Sequence, residues 1–307
     1  MSELKPFPAW LCLLALVLLL FAAPAVAQKP TYPPDMPEAR AEVYLAIGDT
    51  ELNAWIFEPE GHRASDSRPA IVFFFGGGWN GGTPAQFRPQ AVYLAERGMV
   101  AIAADYRVKT RDGTLANVAV SDAKAAVRWV RENADRLGID PGRIAAAGGS
   151  AGGHLAAATG TLPGHDDTGG DGRANSVPNA MVLFNPVLIL APYRELTEKE
   201  NEKFARLQAR LGAVPESMSP YHHVRPGLPP TIIFHGEEDK TVPYETAELF
   251  TGAMVSAGNR CELVGYPGQG HGFFNARRAG MAPYRDTTRR MDAFLVSLGW
   301  LAEAATE

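Results

Sequence analysis

Apolar residues along this chain gather in short runs, and the segments between the runs carry helical spacing. Ala41–Ile47 and Leu52–Phe57 read as two strands, and the Gly48-Asp49 turn between them predicts an antiparallel pair. Ala70–Phe75 is apolar throughout and ends in glycines, the pattern of a strand buried on both faces of a parallel sheet. Met99–Ala104, Arg143–Ala147, Ala180–Phe184, Thr231–Phe234 and Glu262–Tyr266 are similar. Val120, Ala123, Val127, Val130, Ala134 and Leu137 recur at three- and four-residue steps, which is one face of a long helix. Asp140-Pro141-Gly142 is expected to close that helix and start the next strand. Tyr244–Ala257 and Pro283–Leu298 predict two further helices. Such alternation implies an α/β fold with a mostly parallel, eight-stranded sheet and helices on both faces. One stretch breaks the rhythm. No strand is predicted between Pro186 and Pro220, and Glu195–Leu211 reads as a charged helix, so residues 186–220 are expected to form a small cap or lid.

The first residues follow a different logic. Lys5 precedes the leucine-rich run Ala9–Ala23, Pro24 breaks the run, and Ala25-Val26-Ala27 offers the small residues of a signal-peptidase site. Residues 1–27 are therefore expected to be a signal peptide cleaved after Ala27, giving a secreted or periplasmic protein without stable membrane insertion. The rival reading is a retained anchor, but the run is shorter than the ~20 apolar residues that a spanning helix needs. Proline-rich Gln28–Arg40 is expected to be a flexible leader before a single domain over residues 41–307. With 46% hydrophobic residues, a domain of that size can bury a large core. That capacity matters, because only Cys261 of the two cysteines survives cleavage and no internal disulfide can form. Cys261 itself is expected to be a small buried apolar residue. A net charge of −5 lacks the basic footprint of a nucleic-acid binder.

The strongest chemical signal is Gly148-Gly149-Ser150-Ala151-Gly152-Gly153, placed between a predicted strand and the helical run His154–Thr159. A serine at such a turn takes a strained backbone, and glycines two residues away on each side let neighbouring segments approach. Its hydroxyl then stands at a helix N-terminus, where free N–H groups favour a developing negative charge. Ser150 is the expected nucleophile. Upstream, Phe73-Phe74-Phe75-Gly76-Gly77-Gly78-Trp79 places three glycines directly after a buried strand, without the spacing or lysine of a phosphate loop. Paired with the serine turn, these glycines read as an oxyanion-hole loop.

With these motifs the chain resembles the hormone-sensitive-lipase-like and BD-FAE-like branch of the α/β-hydrolases, which includes acetyl, feruloyl and acetyl xylan esterases. The resemblance runs from about Ala41 to the C-terminus. Besides the two glycine motifs it takes in Asp105-Tyr106-Arg107, His235-Gly236-Glu237-Glu238-Asp239-Lys240-Thr241-Val242-Pro243 and Gly270-His271-Gly272-Phe273. The family usually has histidine where Phe75 stands, so any polar support that histidine gives the loop is expected to be missing. Among Glu237, Glu238 and Asp239, the resemblance selects Asp239 as the acid. His271 follows it in the order nucleophile, acid, histidine, and is the expected base. His62, His165, His222 and His223 are expected to be solvated or structural, His235 to brace the acid turn, and His154 to pack or cap.

The resemblance implies acyl transfer from short esters to water, with acetyl groups on saccharides as the expected substrate. The N–H groups of Gly77, Gly78 and Ala151 are expected to hold the oxyanion, and Trp79 with Phe73–Phe75 to crowd the substrate wall. Small-molecule or saccharide esters are the expected partners, and this chemistry needs no cofactor. No Cys/His pairing suggests zinc. Asp166, Asp167 and Asp171 lie among glycines, but not at the spacing of an EF-hand, and are expected to form a solvated loop. Two rival readings are a serine exopeptidase of prolyl-oligopeptidase type and a non-catalytic binding relative.

Overall fold

Burial on two sides explains the apolar runs. In the computed structural model, Ala70, Val72 and Phe74 pack into one hydrophobic cluster while Ile71 and Phe73 pack into another on the opposite face of the same strand. A strand with both faces covered leaves no position for a polar side chain. The structure describes residues 31–165, 174–192, 202, 205–276 and 281–303, all within the unit Thr31–Glu307. The expected signal peptide (1–27), the Asp166, Asp167 and Asp171 loop and most of 195–204 lie outside the described residues.

The strands are β1 (Arg40–Ile47), β2 (Thr50–Phe57), β3 (Arg68–Phe74), β4 (Val100–Ala104), β5 (Ile139–Gly149), β6 (Ala180–Phe184), β7 (Thr231–Gly236) and β8 (Cys261–Tyr266). They form one sheet in the order β1-β2-β4-β3-β5-β6-β7-β8. β2 runs antiparallel to β1 and β4, and the remaining neighbours are parallel. The helices are α1 (Arg88–Glu96), the single turn α2 (Lys109–Asp112), α3 (Ala116–Glu132), α4 (Ala151–Thr161), α5 (Tyr244–Ser256) and α6 (Met281–Ser297). α3, α4 and α5 contribute to the first cluster, and α1 and α6 to the second. This is the α/β-hydrolase arrangement. In such sheets the strand ends and the turns that follow them carry the chemistry.

Two expectations need correction, and one element was not expected. The proline-rich segment is docked rather than a free leader from Thr31 onward. Tyr32 donates its hydroxyl to Asp105 at 2.5 Å, the Arg111 guanidinium lies 4.0 Å from the Tyr32 ring centre, and Met36 is buried in the second cluster. Asp140-Pro141-Gly142 does not close the long helix. α3 ends at Glu132, and β5 starts at Ile139, with a register shift against β3 absorbing residues 140–143. Helix α1 has no counterpart in the apolar pattern, because its buried face includes a polar side chain, Gln90, beside Ala91, Leu94 and Ala95.

Residues 186–220, the expected cap, fall between β6 and β7. Residues 205–208 are helical, and two 3₁₀ turns follow at Pro215–Met218 and Pro220–His223. No helix among the described residues is long and apolar enough to cross a membrane. Cys261 is a free, half-buried thiol, and burial pushes it up to about 11, so it stays protonated at neutral pH.

Candidate active site

Ser150 sits between the end of β5 and the first residue of α4, at φ 56 and ψ −119. A non-glycine residue in that region costs on the order of 1–3 kcal/mol and persists only when its surroundings impose it. They do so here. The Ser150 N–H donates to the Phe184 carbonyl at 2.9 Å, and the Ser150 carbonyl accepts from the N–H groups of His154 at 2.9 Å and Val187 at 3.4 Å. Gly152 lets the first turn of α4 settle on the end of β3. A Cβ there would stand 2.1 Å from the Phe74 carbonyl oxygen and 2.4 Å from that of Phe75.

His271 and Asp239 arrive from two loops beyond the strand ends. His271 Nε2 lies 2.9 Å from Ser150 Oγ, and its Nδ1 lies 2.7 Å from Asp239 Oδ2. Asp239 is buried, whereas Glu237 and Glu238 on the same turn are exposed. Its Oδ1 accepts from the N–H groups of Thr241 at 2.8 Å and Val242 at 2.9 Å. Burial would raise this carboxyl, but hydrogen bonds from His235, His271 and the Val242 backbone outweigh it and hold the group well below the usual carboxylate range. His235 braces the turn, with Nε2 2.9 Å from the Val242 carbonyl oxygen and 3.5 Å from Asp239 Oδ2. An ionised carboxylate behind the ring fixes the proton on Nδ1 and leaves Nε2 free to accept from the serine.

The glycine loop lies across from this relay. Gly77 has φ 132, and a Cβ there would fall 2.0 Å from the Gly81 carbonyl oxygen, so only glycine fits. The N–H groups of Gly77 and Gly78 have no partner among the described residues. Ala151 opens α4, where an N–H has no partner within the helix. Phe75, in place of the family's histidine, is buried and stacks on Tyr106 with ring centres 4.1 Å apart. The Tyr106 hydroxyl donates to the Phe75 carbonyl at 2.7 Å. Polar support comes instead from Gln86, whose Oε1 accepts the Gly76 N–H at 2.6 Å.

Gln86 also begins a relay of amides. Its Nε2 donates to Asn275 Oδ1 at 3.0 Å, and Asn275 Nδ2 donates to the Gly272 carbonyl at 2.8 Å. The Gly272 N–H donates to Asn185 Oδ1 at 3.1 Å. One chain of hydrogen bonds thus joins the glycine loop to the residue after His271. Nothing in the sequence pattern singles out Gln86, Asn185, Asn275 or Arg210, and all four line the same cavity of about 630 Å³ as Gly77, Gly78, Ser150 and His271. Asn185 carries a signal visible only in the backbone, a φ of 33 in a fully buried residue.

Trp79 is a correction. It does not line the cavity. Its own backbone is left-handed at φ 57, it is only 3% exposed, and its ring meets His154 edge-on at 5.1 Å. Phe73 and Phe75 are likewise core residues, and the aromatic ring at the cavity is Phe274. His154 packs as expected, fully buried with Nε2 2.7 Å from the Met218 carbonyl oxygen. Among the described residues, no group of three or more His, Cys, Asp or Glu side chains is placed to hold a metal.

Comparison with known proteins fits this geometry. Residues 56–254 match the family described as BD-FAE. The propionate-bound structure of esterase 2 from Thermogutta terrifontis is 51% identical, with a TM-score of 0.84 over 90% of this chain and 100% of that one. The butyrate-bound structure of the same esterase is 50% identical, with a TM-score of 0.85 over the same shares. An isoprenylcysteine alpha-carbonyl methylesterase of Arabidopsis thaliana is 30% identical over 77% of this chain and 54% of its own length. Esterase LipC of Mycobacterium tuberculosis is 32% identical over 67% of this chain and 53% of its own. The chain spans about half the length of these two curated relatives.

Proposed function

The chain belongs to the BD-FAE family of α/β-hydrolase esterases, and from that membership we propose that it hydrolyses short-chain carboxylic esters, with acetyl groups on saccharides as its natural substrates. The observation that carries the reading is the unbroken relay from Ser150 Oγ through His271 to buried Asp239, opening on a cavity that the glycine loop shares. Ser150 Oγ bonds to the ester carbonyl carbon while its proton passes to His271 Nε2. Asp239 holds Nδ1–H and stabilises the imidazolium. The carbonyl oxygen, now an oxyanion, accepts from the N–H groups of Gly77, Gly78 and Ala151, each such donor being worth about 2.7–4 kcal/mol in comparable sites. His271 returns the proton to the departing alkoxide, which leaves an acyl group on Ser150. Water then repeats the sequence and releases the acid and free serine.

Two observations support short acyl groups. The Thermogutta terrifontis esterase carries propionate and butyrate in its solved structures. The Phe274 ring packs against Gly149 beside the nucleophile, so a Cβ there would meet it at 2.4 Å. The saccharide half rests on the export signal read at residues 1–27, since a secreted or periplasmic enzyme meets polymeric glycans. The test measures kcat/KM for nitrophenyl acetate, butyrate and octanoate, together with acetate release from acetylated xylan. A roomy apolar acyl site would gain about 0.8 kcal/mol per added methylene, so rates that climb to octanoate would refute the short-acyl reading. No acetate from any saccharide would refute the glycan half. An aminoacyl-nitroanilide in the same panel tests the peptidase reading.

A further inference from the structure

The cavity at Ser150 has a one-sided charge. Among the described residues that line it none is a carboxylate, and apart from the catalytic histidine the one basic side chain is Arg210. Arg210 belongs to the cap, yet its backbone is pinned to the domain. The Ala116 N–H donates to the Arg210 carbonyl and the Asn117 N–H to the Leu211 carbonyl, each at 2.9 Å, while Leu211 is fully buried. Gly212 follows in a left-handed turn at φ 72. From that fixed root the guanidinium reaches the glycine loop. Its Nη1 lies 3.2 Å from where a side chain on Gly78 would begin. Among the described residues no carboxylate pairs with it and no acceptor takes its N–H groups, in contrast to Arg107, which grips Asp122, and Arg97, which grips Asp292.

A cation held over the glycine loop, with no carboxylate partner among the described residues and facing the cavity, is poised for an anion. We propose that Arg210 selects esters whose alcohol part carries a carboxylate near the scissile bond, such as an acetylated saccharide that includes a uronic acid. The inference rests on the short-acyl esterase reading, because a small acyl group leaves the alcohol part as the place where the anion sits. Arg210 is a specificity residue and takes no part in proton transfer. The side chain is exposed, so its contribution is that of a solvated ion pair, modest and weakened by salt.

The test compares wild type with Arg210→Gln on 4-acetoxybenzoate, which carries the anion on its leaving group, and on its neutral methyl ester. The ratio of kcat/KM between the two proteins cancels the different intrinsic reactivity of the two esters. The expected loss is about three- to fivefold for the anionic ester, the upper range of an exposed pair, with little change for the neutral one. Arg210→Lys restores most of the loss, and raising ionic strength from low to high salt removes the wild-type advantage. An equal loss on both esters would overturn the inference, since the guanidinium would then act on the glycine loop. Unchanged ratios would overturn it too. A loss seen only with 4-nitrophenyl hydrogen succinate, whose anion lies on the acyl side, would refute the alcohol-side placement. Wild type inert toward every ester would refute the esterase reading itself, a failure distinct from the others.

Discussion

The hydrogen-bonded link from the glycine loop to the residue after His271, the proposed base, makes Gln86 the residue with the most informative substitution. Gln86→Leu leaves an apolar side chain one atom shorter and removes both of the hydrogen bonds of Gln86, the acceptor for Gly76 N–H at 2.6 Å and the donor to Asn275 at 3.0 Å. Each bond contributes roughly 1 kcal/mol net, so the fold loses about 2 kcal/mol. The catalytic effect has a different ceiling. Losing one oxyanion donor outright lowers kcat by about 10²–10³, and a loosened loop misplaces its donors without deleting them. The expected fall in kcat is therefore roughly 10- to 100-fold, with KM changed much less, because the carbonyl oxygen bears its full charge only in the transition state. Gln86→Glu retains an acceptor for Gly76 and loses the donor to Asn275, so it should fall between wild type and Gln86→Leu. Steady-state kinetics with nitrophenyl acetate, alongside thermal melts, separates the two roles. A Gln86→Leu enzyme that melts earlier yet keeps kcat within about threefold would show that the bridge only stabilises the fold, and would refute its role in placing the oxyanion donors.

Two further outcomes follow from the site. Ser150→Ala should lower kcat by about 10⁴–10⁶ while leaving the melting temperature close to wild type, because alanine meets the same backbone as serine; a variant with more than a tenth of wild-type kcat would remove Ser150 from the mechanism. His154 should make the fold acid-sensitive: full burial outweighs its bond to Met218 and pushes it down to about 4 from an ordinary 6.5, so the unfolded chain binds the extra proton between those values. Stability is whole above pH ~6.5 and falls by about 3 kcal/mol as pH drops to ~4. In urea titrations across that window His154→Gln should show a shallower decline than wild type, and an identical slope would count against the buried neutral imidazole.

What the sequence revealed and what it hid divide along a physical line. A strand buried on both faces must be apolar at every position, so the runs Ala70–Phe75 and Ala180–Phe184 announced themselves. The Ser150 turn was equally visible, because a Cβ at Gly152 would fall 2.1 Å from the Phe74 carbonyl oxygen, and so close an approach dictates residue type locally. Asp239 could be separated from Glu237 and Glu238 by resemblance alone, since the difference is burial, and burial belongs to the tertiary fold. Trp79 misled for the same reason. Adjacency to three glycines suggested a cavity wall, but a left-handed backbone at φ 57 accompanies a ring buried in the core. Gln86 and Asn275 are the harder case. Their partners lie 10 and 189 residues from Gln86, and a glutamine or asparagine in a loop has no periodicity to betray it. Phe75 could have prompted the search. A loop that lacks its usual histidine still has the half-buried Gly76 N–H to satisfy, and a buried N–H left unpaired costs about 1–3 kcal/mol. The replacement at Phe75 therefore implied that another polar side chain, distant in sequence, had to reach the loop, and Gln86 does so from the turn before α1.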